Sequence, residues 1–446
     1  MGDRGERPTS ATPAQHFTRN SLIAAKDYIV ISHGNSYGDN DGDNTLAAPS
    51  EPEVTGSHVV VFTESNRRDG AQTLRDVAGL SDVASSTEFE ASAVDLSETR
   101  EADAVVFDEL GIAVVTADPD QLATLQASAA ADDGAVLSIE PELMHYALSI
   151  GTDPRVQAEL TSFADTSELT WGLQATNVAA SACGGFGVKV AVLDTGLDLT
   201  HPDFEGRTVT AQSFVPGAGP QDGHSHGTHC VGTACGPKSP SGTRRYGVAH
   251  KADIFVGKVL SDQGRGPDRG ILAGIGWAIV NGCQVISMSL GANVEAVSVA
   301  YETVGSRALA SGSLIVAAAG NNANRAAGNM GFVGPPANSP SIMAVAALDS
   351  TLGLGNFSAR SNPVIGGQID VAGPGVGVFS TVPVPTRYGA KSGTSMAAPH
   401  VAGIAALWCE ATGRTGTELW AVLTQKARRL MLPSLDVGSG LIQAPA

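Results

Sequence analysis

Within "GHSHGTHC", residues 223–230, three kinds of chemistry overlap. The pattern G-x-S-x-G centres on Ser225 and has the form of a hydrolase nucleophile turn. His224, His226 and His229 together offer three nitrogens to a metal ion. The string H-G-T-H, opening a helix at about His226, offers a single histidine as a general base. Two further positions bear on the choice. Asp194 ends the apolar run "VAVLD", where an acid is costly to bury without a partner. The alternative for Asp194 is a turn aspartate before Thr-Gly. Ser395 opens the small-residue helix "SGTSMAAPHVAG", where free N–H groups and the helix dipole favour developing negative charge. Taken alone, such a serine is an ordinary helix cap.

A serine hydroxyl is a weak nucleophile until a base takes its proton, and that base needs an acid to orient it. Asp194, His226 and Ser395 supply this set in the chain order Asp, His, Ser, the order that defines subtilisin. The blocks "AVLDTGLDLTHPDF", "HGTHCVGTACG", "VISMSLG", "AAAGN" and "GTSMAAPHVAG" follow in sequence. From about Trp171 to Leu441 the chain thus resembles the subtilisin-like serine peptidases. Cys230, directly after H-G-T-H, is similar to the proteinase-K-like members.

The resemblance implies roles residue by residue. Ser395 is implied as nucleophile, His226 as base and then acid, Asp194 as the group holding the imidazole, and Asn321 as an oxyanion donor beside the Ser395 N–H. The alternative for Asn321 is a turn residue, a part for which Asn322 is better suited. Ser289, Leu290 and Gly291 match the substrate-binding strand, and Gly264, Arg265 and Gly266 the opposing segment, so an extended peptide would pair with both. The expected activity is peptide-bond hydrolysis through an acyl-enzyme, by a monomer acting on peptides or proteins. The alternatives are a catalytically silent member of the fold and an esterase on it. Against a Ser225 esterase stands "VPGAGPQDG", a loop where that reading needs a strand. Against a metal at His224, His226 and His229 stands the lack of a carboxylate or cysteine at ligand spacing. His229 is expected to pack within its helix and His224 to be an exposed loop residue.

The elements that must position these groups change character along the chain. Residues 1–56, rich in Asp, Gly, Asn, Ser and Pro, read as a flexible extension. Residues 57–148 read as a small βαββαβ, ferredoxin-like unit. Its strands are 57–62, "DAVVF", "IAVVTA" and 135–141, and its helices are 68–80 and 118–131. Asp118, Pro119 and Gln121 mark the start of the second helix. The resemblance implies that this unit is an inhibitory, folding-templating prodomain, with a junction near Leu148-Ser149 just past the acidic turn in "SIEPE". An accessory domain without processing is the alternative. Residues 149–446 read as the peptidase domain. Its continuous apolar strands 188–194, 252–260, 283–290 and 313–320 alternate with helices such as "GILAGIGWAIVNG". That rhythm implies an α/β fold with a doubly wound, mostly parallel sheet. Ligands of such sheets bind beyond the C-terminal strand ends.

Composition narrows the remaining classes. The chain is 42% hydrophobic, 16% charged and carries a net charge of −18, which excludes a nucleic-acid footprint and fits a globular protein. No apolar run reaches membrane-spanning length. The polar N-terminus lacks the apolar stretch of a signal peptide, so a cytosolic protein is expected unless a signal has been removed. Five cysteines are too sparse for a disulfide framework, and most of them read as small buried thiols. The chemistry requires no cofactor. A structural calcium ion is implied at the carbonyls of Pro340 and Ile342 with Asp370, the alternative being that Asp370 caps a strand end. The resemblance also implies a tight calcium loop after the histidine helix, but "PKSPSGTRRYG" stands in its place, so that site is expected to be absent, although Asp203 matches one of its ligands.

Overall fold

The computed structural model describes residues 52–150, 163–362 and 366–446. The expected extension therefore lies outside the described residues, apart from its last few.

The first element, β1 (Val54–Phe62), begins before the expected residue 57. It leads into α1 (Gly70–Ala78), β2 (Val83–Ser85), β3 (Ala104–Phe107), β4 (Ile112–Val115), α2 (Pro119–Ala130) and β5 (Val136–Ala147). At the start of α2, Asp118 accepts from the Asp120 and Gln121 amides while Gln121 reaches back to the Asp118 amide, a reciprocal capping box. The strand order β5-β1-β4-β3-β2 is antiparallel except for the short β2, which lies parallel to β3. Its two faces follow the period of two expected of strands. Val60, Phe62, Val106 and Val115 pack with Leu74 of α1 and Leu125 of α2. Val59, Val61, Phe107 and Val114 turn instead into the main core of the molecule. Full burial of each such valine contributes about 1.5–3 kcal/mol.

The acidic segment "SIEPE" does not turn. It lies inside β5, which continues six residues past the expected end at Pro141.

The second sheet has the order β14-β13-β12-β10-β6-β8-β7, parallel throughout. Its strands are β6 (Lys189–Asp194), β7 (Val209–Ser213), β8 (Asp253–Lys258), β10 (Val285–Met288), β12 (Leu314–Ala318), β13 (Met343–Leu348) and β14 (Val371–Pro374). Helices α3 (His226–Cys235) and α6 (Thr394–Thr412) pack on each other and on this sheet. Helices α4 (Asp268–Val280) and α5 (Val299–Ala310) lie between the two sheets, touching β6 and β12 on one side and β5 on the other. Two short strands, β9 (Arg265–Pro267) and β11 (Leu290–Gly291), flank the end of β5. Strand order reverses beside β6, and the C-terminal ends of β6, β10 and β12 converge where a doubly wound sheet binds ligands. Among the described residues no helix is long and apolar enough to cross a membrane.

Candidate active site

Each of the three converging strand ends delivers one polar group. Asp194, the last residue of β6, is buried, and its Oδ1 accepts from His226 Nδ1 at 2.7 Å and from the Thr195 amide at 2.7 Å. Burial pushes the Asp194 pKa up. The charge and hydrogen bond of His226, with the Thr195 N–H, outweigh that and hold it below the usual carboxylate range. His226 opens α3, fully buried, and its Nε2 has no hydrogen-bond partner among the described residues. With Nδ1–H committed to Asp194, that Nε2 is left as a proton acceptor.

Ser395 sits in the first turn of α6, and its Oγ donates to the Ser289 carbonyl at 2.9 Å. Pro399, four residues on, cannot donate to the Ser395 carbonyl as a helix residue would. The Ser289 hydroxyl does so instead at 2.8 Å, with Cys230 Sγ at 3.5 Å, so the loop after β10 is tied to the start of α6. Asn321, beyond β12, has its amide orientation fixed. Its Oδ1 accepts from the Thr394 amide at 3.0 Å and the Thr394 hydroxyl at 2.8 Å, which turns Nδ2 outward. That Nδ2 donates to the Leu148 carbonyl at 2.8 Å. Asn322 beside it clasps the loop instead, bonding both the N–H and the C=O of Phe332.

The chain itself occupies the cleft. β5 is sandwiched between β11 and β9: Ala147 and Tyr146 pair with Leu290 and Gly291, while Tyr146 and His145 pair with Arg265 and Gly266. The Ala147 amide donates to the Gly264 carbonyl at 2.8 Å and the Leu148 amide to the Ser289 carbonyl at 3.2 Å. The Leu148 side chain lies against Gly291, where an added Cβ would stand 3.0 Å from Leu148 Cδ1. Gly393, with φ of 153°, permits the close approach of the Leu148–Ser149 peptide. A Cβ there would lie 2.5 Å from the Leu148 oxygen.

Two carboxylates of β5 anchor it to helix starts. Glu140 accepts from the Ser298 hydroxyl at 2.7 Å and the Val299 amide at 2.6 Å, at the N-terminus of α5. Glu142 accepts from the Arg269 amide at 3.0 Å, in the first turn of α4. Helix N-termini favour such anions, although burial raises the pKa of both groups. Neither partnership is visible in the sequence, because each spans well over a hundred residues.

The competing readings of the histidine segment separate cleanly. Ser225 has a left-handed φ of 82° but follows no strand, and its Oγ accepts from Lys391 Nζ at 3.1 Å. His229 is buried and bonded to the Val378 carbonyl, so it does not join His224 and His226 around a metal. His224 is half-buried, not exposed, because it packs beside His226 and Gly264. Asp194, His226 and Cys230 do offer ligand atoms within 4.8 Å of one another. Burial, however, pushes the Cys230 thiol well above its usual pKa, which disfavours the thiolate a metal needs.

Both oxygens of Asp203 accept from tyrosine hydroxyls, Tyr246 at 2.5 Å and Tyr388 at 3.0–3.1 Å. Asp370, just before β14, accepts from the Ala344 amide at 2.8 Å, and burial raises its pKa to about 7.

A sequence profile described as "Subtilase family" matches residues 185–440, more than half of the chain. Subtilisin E of Bacillus subtilis (strain 168) is 45% identical over 225 residues, covering 50% of this chain and 55% of that relative. The subtilisin of Bacillus pumilus is 45% identical over 225 residues, 50% of this chain and 77% of the relative. Thermitase of Thermoactinomyces vulgaris is 38% identical over 253 residues, 55% of this chain and 83% of the relative. The chain thus spans about half the length of several relatives it matches, 55% for subtilisin E, and more of the others. On the profile match and these identities, the chain belongs to the subtilase family.

Proposed function

We propose that the chain is a serine endopeptidase that processes itself. Ser395 Oγ leaves its bond to the Ser289 carbonyl and attacks a peptide carbonyl as His226 Nε2 takes its proton. Asp194 stabilises the imidazolium that forms and keeps Nδ1 protonated. The oxyanion is met by Asn321 Nδ2 and the Ser395 N–H, and His226 returns the proton to the departing amine. Water then repeats the sequence in reverse to release the acyl group. The substrate lies as an extra strand between Gly264–Gly266 and Ser289–Gly291.

The observation that carries this reading is the Leu148 carbonyl, bonded to Asn321 Nδ2 at 2.8 Å while the residues before it pair with both cleft edges. A backbone held this way is a substrate in place. The domain reading follows: residues 57–148 act as a ferredoxin-like inhibitory prodomain after an extension of residues 1–56, with residues 149–446 as the peptidase. Cleavage at Leu148-Ser149 would leave "MHYAL" in the cleft as product.

The carbonyls of Pro340 and Ile342 with the Asp370 carboxylate are hard oxygen donors suited to calcium. The bond from Ala344 to Asp370 equally suits the strand-cap alternative. Such an ion would stabilise the fold and take no part in the chemistry.

Incubation with labelled casein and with an ester substrate, each with and without a serine-directed fluorophosphonate, tests the activity. Casein hydrolysis abolished by the reagent is expected. Ester turnover alone would favour the esterase alternative, and no turnover of either would favour a silent member.

A further inference from the structure

β5 carries His145 into a closed polar pocket remote in sequence from Asp194, His226 and Ser395. The side chain is 0% exposed and stands among Asp268, the first residue of α4, and Tyr301, in the first turn of α5. His145 Nε2 lies 2.6 Å from Asp268 Oδ1, and the Tyr301 hydroxyl donates to the same oxygen at 2.7 Å. The Tyr301 ring meets the imidazole edge to face at 5.5 Å. Asp268 Oδ2 accepts from the Leu143 amide at 2.6 Å, so the carboxylate, 3% exposed, is held from three sides. Glu140 and Glu142 approach from β5 itself, each bonded to a helix start.

His145 pairs with Gly266 of β9 and stands fourth on the acyl side of Leu148-Ser149, counting Leu148 as first. Any peptide taking the place of β5 must present its own fourth residue here. We propose that Asp268 and Tyr301 form a subsite that selects histidine at the fourth residue before the cut bond. The inference rests on the endopeptidase reading.

The selection follows from counting donors and acceptors. A leucine in the pocket would leave the buried Asp268 carboxylate without one of its partners, and sites built to hydrogen-bond a side chain reject analogues that lack it. Longer cations fit no better. His145 Nδ1 is buried without a partner among the described residues, so the pocket offers one acceptor to one incoming donor. A guanidinium would bring five N–H groups and an ammonium three, most of them unmet.

The test uses the purified chain freed of the residues before Ser149, by its own cleavage or by an added protease, because β5 otherwise fills the cleft. It is given peptides spanning residues 142–150, with His, Leu, Lys or Arg at the position of His145. The histidine peptide should have a kcat/KM at least about tenfold above each of the others. Asp268→Leu should reverse the order in favour of leucine, and Tyr301→Phe should shrink the advantage of histidine. Wild-type rates for the histidine and leucine peptides within about threefold of each other would overturn the subsite. Binding of the product peptide of residues 142–148, measured by calorimetry against its leucine variant, separates the two readings. If no peptide is cut but the histidine product binds about tenfold more tightly, the peptidase reading fails and the subsite stands. Equal binding, or none, removes the subsite.

Discussion

Asn321 Nδ2 donates to the Leu148 carbonyl oxygen across 2.8 Å, and it can do so because Thr394 pins the other end of the amide with two hydrogen bonds. A donor fixed before the reaction begins costs no reorganisation when charge develops on that oxygen. Asn321→Ala should therefore lower kcat by roughly a hundred- to a thousand-fold, a figure measured on subtilisin, itself a member of this family. KM should stay nearly constant, since the bond strengthens in the transition state. Steady-state kinetics on one peptide decide it. A change confined to KM would make Asn321 a binding residue only.

His400 lies inside α6, with Nδ1 donating to the Met396 carbonyl at 2.8 Å, and burial lowers its pKa to about 4. Its folded pKa is thus below the ordinary value of 6.5, so the unfolded chain takes up the proton first. The resulting stability is present above pH 6.5 and is lost as pH falls towards 4, amounting to at most about 3 kcal/mol. His400→Gln should be less stable than the parent at pH 7, yet lose less on acidification. Urea unfolding of both, made in a Ser395→Ala background to prevent autolysis, checks this. Parallel curves would show that His400 does not carry the slope.

If the Pro340 and Ile342 carbonyls and Asp370 hold calcium, millimolar calcium should raise Tm, and Asp370→Asn should abolish the increase. A carboxylate that only bonds the Ala344 amide gives no calcium effect in either protein. Calorimetric melting with calcium and with a chelator distinguishes the two. Asp203→Asn should leave the calcium response unchanged, because both oxygens of Asp203 are already held by tyrosine hydroxyls.

The segments that meet at the cleft are legible because each combines an apolar strand with a polar residue at or just past its end: "VAVLD", "VISMSL" and "LIVAAAGN". Other features leave no such trace. β7 (Val209–Ser213) is half polar, β13 is alanine-rich, and β14 contains a glycine and a proline, so propensity argues weakly for all three. Pro141 suggests an end to β5, yet pairing with β1, β9 and β11 carries the strand on to Ala147. The His145–Asp268 contact joins residues 123 apart in sequence and depends on how β5 crosses the start of α4. Spacing cannot reveal such a pair.

The central claim is that Ser395 cuts the Leu148–Ser149 bond, and intact-mass analysis of the purified wild type and of Ser395→Ala tests it most directly. The wild type should appear as two fragments divided between Leu148 and Ser149, held together until the first is degraded. Ser395→Ala should appear as one uncut chain. A wild type that remains uncut while hydrolysing peptides at full rate would contradict the account, and so would a Ser395→Ala chain divided at the same bond.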